Sequence, residues 1–179
     1  MSKLRLGIIG TGGICNHKHL PSLEKVADKV EVVALCDLIR EKAVQTAKDF
    51  HLDNAAIYTD YKELLADPTI DVVHVCTPNV AHCQITVDAF EAGKHVLCEK
   101  PMAATTEDAQ KMMEAWRKSG KKFTIGYQNR FRYDVQVLKK PATQAIWERS
   151  IMEKPMQSAG RQYPRGACSR TNPNREAAP

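Results

Sequence analysis

Short apolar runs alternate with segments of helical periodicity along the first 127 residues. Six runs rich in Val, Ile and Leu predict strands at residues 4–9, 30–36, 56–58, 71–76, 95–99 and 123–127. The segments between them predict helices near residues 14–27, 39–50, 60–66, 80–92 and 106–119. Apolar strands that alternate with helices are typical of a parallel sheet covered on both faces. The pattern predicts an α/β fold, a Rossmann-type doubly wound parallel sheet over residues 1–127.

The pattern changes after residue 140. Residues 141–179 hold five of the nine prolines and contain no Val, Leu, Phe or Asp. Neither a helical nor a strand period is visible there, and such a segment buries too little apolar surface to offset its ordering entropy. We therefore expect residues 141–179 to be disordered.

Composition and charge exclude several classes of protein. The hydrophobic content is 43%, and the net charge of +5 is modest, which argues against nucleic-acid binding. Since no apolar run is long enough to cross a bilayer, we expect no membrane association. The six cysteines show no CxxC spacing, so we expect reduced thiols and a cytoplasmic location. His17 and His19 lack a partner at ligand spacing, so we expect no metal site.

A glycine-rich segment follows the first predicted strand and opens the first predicted helix. Gly10 and Gly12 fit the first two positions of the G-x-G-x-x-G template, and Cys15 stands at the third. Gly10 permits the tight turn, and Gly12 lets a pyrophosphate approach the backbone at the helix N-terminus. We expect the same segment to contact a dinucleotide through Thr11, Gly13 and Ile14 as well. A turn with a purely structural role is the alternative.

An acidic residue ends the second predicted strand. Asp37 is suitably placed to bind ribose hydroxyls, and its charge would repel a 2′-phosphate. NAD is therefore the expected cofactor. NADP stays open as an alternative, because Arg40 lies close enough in sequence to accommodate a 2′-phosphate.

Three further stretches lie at the ends of predicted strands. They are CTPN at residues 76–79, EKP at residues 99–101 and GYQNRF at residues 126–131. In this order and spacing they resemble the Gfo/Idh/MocA oxidoreductases, the family of glucose-fructose oxidoreductase and inositol 2-dehydrogenase. The resemblance covers residues 3 to about 140. It implies NAD(P)-dependent hydride transfer involving a sugar, cyclitol or related polyol.

The resemblance also implies roles for individual residues. Lys100 of the EKP segment would be the catalytic residue, acting on the substrate hydroxyl or carbonyl beside the nicotinamide. Lys100–Pro101 is a candidate cis peptide bond, as X–Pro bonds are. A surface ion pair between Glu99 and Lys100 is the alternative reading of this segment. Contacts with the cofactor are expected from Thr77, Pro78, Asn79, His82, Glu99, Lys100, Gln128 and Arg130. Among these, His82 is expected to lie near the N-terminus of the helix after CTPN and to line the ligand crevice. For Arg130, a structural salt bridge is the alternative.

Family members continue into a second, α+β open-sheet domain that binds substrate and commonly forms the subunit interface. Residues 128–140 would begin the connection to it, but nothing after them resembles it. The codons from Pro141 onward can also be considered in a frame that begins two bases later. Codon choices that are compatible with the amino-acid sequence then encode a G-x-L-G-x-I segment like the one that opens that domain. The hypothesis is a truncated or frame-shifted chain, which the coding DNA decides. We then expect dinucleotide binding with little turnover. We also expect self-association, of which a homo-oligomer is one form, or instability, because the apolar surface that the second domain should cover would be exposed. A dinucleotide-binding module and a non-catalytic regulatory relative are the alternatives to an enzyme.

Overall fold

The computed structural model describes residues 2–143, and side chains are described up to residue 139. The chain divides into two units, residues 1–128 and residues 129–179. The strands are β1 (Leu4–Ile9), β2 (Val30–Cys36), β3 (Ala56–Tyr58), β4 (Val72–Val75), β5 (His95–Cys98) and β6 (Phe123–Ile125). The α-helices are α1 (Leu20–Glu24), α2 (Arg40–Asp49), α3 (Tyr61–Ala66), α4 (Asn79–Glu91), α5 (Thr106–Ser119) and α6 (Tyr133–Thr143).

All six strands form one parallel sheet in the order β3-β2-β1-β4-β5-β6. The predicted Rossmann-type doubly wound sheet is confirmed. From β1 the chain adds β2 and β3 on one side of the sheet, and it then adds β4, β5 and β6 on the other side. The direction in which strands are added therefore reverses between β1 and β4. In such sheets ligands bind outside the carboxyl ends of the strands at this switch point. The glycine-rich segment and the CTPN, EKP and GYQNRF stretches follow the carboxyl ends of strands, so they begin at this edge of the sheet.

Apolar side chains on both faces of the sheet explain the nearly continuous apolar strands. On one face Leu6 and Ile8 of β1 pack with Leu35 and Leu20. A second buried cluster on β4 and β5 includes Val73, Val75, Val96 and Cys98, packed with residues of α3, α4 and α5. Burial of this kind is the main stabilisation of a parallel sheet.

The predicted helix boundaries are largely reproduced because the chain carries capping residues. The Asp60 side chain accepts a hydrogen bond from the Lys62 amide at 2.8 Å, and α3 begins there. Thr105 caps α5 in the same way. Gly93 and Gly120, which follow α4 and α5, have φ of +74° and +65°, values that favour glycine at a helix end.

The first predicted helix differs from the expectation. In place of a regular helix over residues 14–27, the chain forms a π-helical segment (Cys15–His19) that continues into α1, which ends at Glu24. A π-turn holds one more residue per hydrogen-bonded turn than an α-turn and changes which side chains face the sheet. Hydrophobic periodicity over so short a segment does not predict it.

Beyond β6, the expectations meet the limit of the described residues. A 3₁₀ helix (Gln128–Phe131) and α6 occupy the segment expected to begin the connection, and α6 extends three residues past residue 140. The expected disorder and the frame-shift hypothesis otherwise concern residues 144–179, which lie outside the described part.

The described part of the chain also bears on the cysteine and membrane expectations. Cys15, Cys36, Cys76, Cys83 and Cys98 are all free thiols, as expected for these five, while Cys168 lies outside it. Burial first, and then the nearby Asp37 charge, raises the pKa of Cys15 and of Cys36 to about 12. None of the helices within residues 2–143 is long and apolar enough to cross a membrane.

Candidate functional site at the carboxyl edge of the sheet

Gly10 begins the turn after β1 and lies tightly against the end of β4. Its φ is +95°, a conformation that L side chains rarely adopt. A Cβ atom at this position would lie 2.8 Å from the carbonyl oxygen of Cys76 and 2.9 Å from its carbon. Only glycine fits the turn on both counts.

Gly12 differs from Gly10 because the space beside it is empty. A Cβ atom built on Gly12 meets no atom within 4 Å, and the residue is exposed. The helical conformation begins with Gly13 and Ile14, so the amides here belong to a first helical turn, which lacks internal acceptors. Open space beside such amides suits a phosphate group.

Asp37 ties the glycine turn to the end of β2. Its Oδ2 accepts hydrogen bonds from the amide and the hydroxyl of Thr11, each at 3.0 Å, and its Oδ1 accepts one from the Ile39 amide at 3.0 Å. Partial burial alone would raise the pKa of Asp37, but the hydrogen bonds from Ile39 and Thr11, with the charge of Lys42, lower it overall. The carboxylate is therefore ionised and fixed in position.

Arg40 lies in the first turn of α2, exposed to solvent. Its Nη1 donates a hydrogen bond to the carbonyl oxygen of Ile57 at 3.2 Å. This contact holds the guanidinium against β3. The contact that we expected with a 2′-phosphate stays a prediction.

The CTPN loop after β4 contributes a hydroxyl group that lacks a partner. The Oγ1 atom of Thr77 is buried and makes no hydrogen bond, a costly arrangement unless a ligand supplies the partner. Pro78 and Asn79 are exposed, and α4 begins at Asn79. Cofactor contacts of Pro78 and Asn79 stay predictions.

His82 takes a different place from the one expected. Its side chain is fully buried. Nδ1 lies 2.8 Å from the carbonyl oxygen of Pro101, and Nε2 lies 2.9 Å from that of Thr77. A ring protonated on both nitrogens donates to both oxygens, and a neutral ring donates to one. His82 thus connects the loop after β4 with the loop after β5 through these two carbonyl oxygens. Because its ring is buried, it does not line the crevice.

The EKP segment follows β5, and the Lys100–Pro101 bond is cis. The Lys100 side chain is exposed, and within residues 2–139 no carboxylate forms an ion pair with it. The alternative reading of this segment, a surface ion pair between Glu99 and Lys100, is therefore wrong. Glu99 is 6% exposed, and its Oε2 instead accepts a hydrogen bond from the Lys100 backbone amide at 3.1 Å.

The second oxygen of Glu99 contacts His19, which in turn contacts His74, and neither histidine was assigned to this site from the sequence. His19 Nε2 lies 2.9 Å from Glu99 Oε1, and His19 Nδ1 lies 3.1 Å from His74 Nδ1. Glu99 is buried, and each of its carboxylate oxygens takes part in a hydrogen bond. The side chain is therefore not exposed to a dinucleotide, contrary to the expectation, and instead holds the turn at Lys100. Within the described residues, no group of three His, Cys, Asp or Glu has metal-binding geometry.

The last two residues expected to contact the cofactor, Gln128 and Arg130, lie on either side of the boundary between the two units in the sequence. Gln128 is exposed at the final position of the first unit. Arg130 belongs to the second unit, where its carbonyl oxygen accepts a hydrogen bond from the Gln136 side chain. Their contacts with a nicotinamide stay predictions.

Three observations at this edge fit a dinucleotide. The space beside Gly12 admits a pyrophosphate, the fixed carboxylate of Asp37 can accept ribose hydroxyls, and Thr77 Oγ1 lacks a partner. Lys100 presents a free amine at the neighbouring strand end. The edge therefore combines groups that suit a dinucleotide with an amine that is chemically capable of proton transfer.

Comparisons with known proteins agree with this description. A family model described as "Oxidoreductase family, NAD-binding Rossmann fold", named GFO_IDH_MocA, matches residues 4–127. An inositol 2-dehydrogenase from Salmonella paratyphi B is 37% identical over 161 residues, which cover 89% of this chain and 46% of that protein. A D-glucoside 3-dehydrogenase from Escherichia coli K12 is 37% identical over 145 residues, covering 81% and 40%.

Among solved structures, the myo-inositol dehydrogenase from Lactobacillus casei in complex with NAD(H) and myo-inositol superposes with a TM-score of 0.75. It is 34% identical, and the match covers 81% of this chain and 42% of that one. The chain thus spans less than half the length of the relatives it matches. A match covering 89% of the chain extends past residue 140, where we expected the resemblance to end.

Proposed function

The chain belongs to the GFO_IDH_MocA oxidoreductase family with its NAD-binding Rossmann fold, and from this we propose that it is the NAD-binding part of a dehydrogenase acting on a polyol or sugar hydroxyl. Bound NAD would supply the acceptor for a hydride from the carbinol carbon. The named substrates of the relatives, inositol and glucoside, support a cyclitol or sugar as the substrate class.

In this proposal the carboxyl edge of the sheet binds and orients the dinucleotide. The first-turn amides beside Gly12 receive the pyrophosphate, and Asp37 accepts hydrogen bonds from the ribose hydroxyls. Thr77 Oγ1 gains the partner that it lacks. The ordering of Asp37 by Thr11 and Ile39 supports this, because a carboxylate already held in place loses little entropy on binding.

Lys100 is proposed as the proton-transfer residue. Hydride leaves a carbinol carbon more readily when the hydroxyl proton is taken up, and in the reverse direction an ammonium group polarises the carbonyl oxygen. The observation that carries this assignment is the exposed Lys100 amine, without an ion-pair partner in the described part, on a turn that the buried Glu99 carboxylate holds through the backbone.

The experiment that tests this function combines binding with turnover. NAD and NADP are titrated into the chain by calorimetry, and reduced nicotinamide is then followed by absorbance with a panel of cyclitols, aldoses and glucosides. Saturable NAD binding with polyol-dependent reduction supports the dehydrogenase. The absence of NAD binding contradicts it.

A dinucleotide-binding module without turnover is the second candidate. The 179-residue chain spans 46% of the length of the inositol 2-dehydrogenase that it matches. Residues that complete an active site supply positioning and electrostatic stabilisation, which carry much of the rate enhancement. NAD binding without reduction by any member of the panel supports this candidate.

The choice between NAD and NADP gives a prediction for Asp37. Asp37→Asn removes the charge that repels a 2′-phosphate while nearly preserving side-chain shape, so we expect the NAD-over-NADP preference to fall by about tenfold. Calorimetric titration of both cofactors measures it. Asp53→Asn, which removes an exposed carboxylate outside these contacts, is the matched control. An unchanged preference in Asp37→Asn would show that Asp37 does not select the cofactor.

We also propose a cytoplasmic, reducing setting, which the five free thiols support. Self-association as a homo-oligomer is proposed from the resemblance alone. Light scattering over a range of protein concentrations measures it.

A further inference from the structure

Three side chains form a hydrogen-bonded series behind the Lys100 turn. His74 comes from β4, His19 from the π-helical segment and Glu99 from the residue after β5. His74 Nδ1 lies 3.1 Å from His19 Nδ1, and His19 Nε2 lies 2.9 Å from Glu99 Oε1. Glu99 Oε2 accepts the Lys100 amide at 3.1 Å. The series therefore links the centre of the sheet to the backbone of Lys100.

The chemistry of these groups determines the direction of the hydrogen bond between His19 and Glu99. A carboxylate only accepts, so His19 must carry a proton on Nε2. If the His19 ring is neutral, its Nδ1 is bare and His74 donates to it from its own Nδ1. If both nitrogens of His19 carry protons, His19 donates to His74 Nδ1. Burial, and then the neighbouring His19, lowers the pKa of His74 to about 3, which keeps His74 neutral with a single ring proton.

Gly126 leaves open the space that the Glu99 carboxylate occupies. A Cβ atom on Gly126, after β6, would lie 2.8 Å from Glu99 Oε1 and 3.1 Å from its carboxyl carbon, so only glycine lets the group lie there. A buried carboxylate is costly unless its oxygens are hydrogen-bonded. Among the described side chains, that of His19 supplies the partner for Oε1.

We infer that His19, oriented by His74, is a positioning residue that holds the Glu99 carboxylate and through it the backbone of Lys100. This deepens the proposed function and rests on it, because Lys100 is the proposed proton-transfer group. Without His19, Oε1 loses its hydrogen-bond donor, and the buried carboxylate is no longer held in this position. Its hydrogen bond to the Lys100 amide is then weakened.

The test uses NMR of the isotopically labelled 179-residue chain and begins with the unsubstituted protein. Long-range nitrogen–proton spectra report which ring nitrogen carries the proton. We expect a proton on His19 Nε2, and a single proton between the Nδ1 atoms of His19 and His74. A His19 ring with a bare Nε2 would overturn the inference without any variant.

Two variants of His19 then separate positioning from packing. In His19→Leu we expect the Lys100 amide to exchange with solvent about tenfold faster and its proton signal to move upfield, since its acceptor is displaced. His19→Gln retains a donor at a similar reach and should restore most of both signals. Lys18→Gln, on the same segment but exposed and outside the series, is the control and should change neither.

Neither readout depends on turnover, so the two proposals fail separately. An unchanged Lys100 amide in both His19 variants contradicts the positioning role whatever the enzyme does. If His19→Leu does not fold, the ring protonation of the unsubstituted chain and the His19→Gln spectra decide. An intact series in a chain that does not bind NAD contradicts the proposed function alone.

Discussion

Gly10→Ala is expected to lower the free energy of unfolding by about 3 kcal/mol. The substitution places a Cβ atom at 2.8 Å from the Cys76 carbonyl oxygen and at a φ of +95°. A positive φ costs an L residue about 1–2 kcal/mol, and relief of a close contact with backbone adds a similar amount. Neither atom can move at low energetic cost, because Cys76 directly follows the central strand β4. The Cys76 amide also donates a hydrogen bond to the carbonyl oxygen of Ile9.

Urea unfolding followed by circular dichroism measures this effect. Gly12→Ala is the matched control, since its Cβ atom meets nothing within 4 Å. We expect that variant to unfold within about 0.5 kcal/mol of the unsubstituted chain. Equal stability of the Gly10 and Gly12 variants would show that the turn adjusts more readily than its contacts with Cys76 indicate.

Lys100→Met is expected to slow hydride transfer from a polyol by about 10²- to 10⁴-fold, the usual contribution of a proton-transfer group. The methionine side chain is of similar length but has no titratable group. Because Lys100 is exposed and has no ion-pair partner within residues 2–139, the variant should keep the stability of the unsubstituted chain. The effect should appear in the chemical step alone.

Single-turnover measurements with protein in excess over NAD isolate that step, even if steady-state turnover is slow. Lys62→Met removes another exposed lysine, on α3, and should leave the rate unchanged. Equal rates for Lys100→Met and the unsubstituted chain would remove Lys100 from the proton-transfer role.

The sequence predicts the sheet well because its signals are local. Each strand is a short apolar run, and residues such as Asp60, Gly93 and Gly120 mark helix ends through the conformations they favour. The turn at Gly10 and the acid at Asp37 are readable for the same reason. Their spacing along the chain determines that they meet at one edge of the sheet.

The positions of the histidines are not local and could not be read in this way. His19 and Glu99 are 80 residues apart, and His74 lies inside an apolar run where nothing marks its partner. The π-helical segment also changes the direction in which His19 points. His82 was correctly expected near the start of α4, but its burial behind the crevice depends on the carbonyl groups of two other loops.

The most direct test of the central claim is calorimetric titration of NAD into the unsubstituted chain and into Gly12→Ala, side by side. The account predicts saturable binding to the former and binding at least about tenfold weaker to the latter, at unchanged stability, because the added methyl group occupies the space beside the first-turn amides. Equal affinity in the two proteins, or no binding by the unsubstituted chain, would contradict a dinucleotide site at this edge of the sheet.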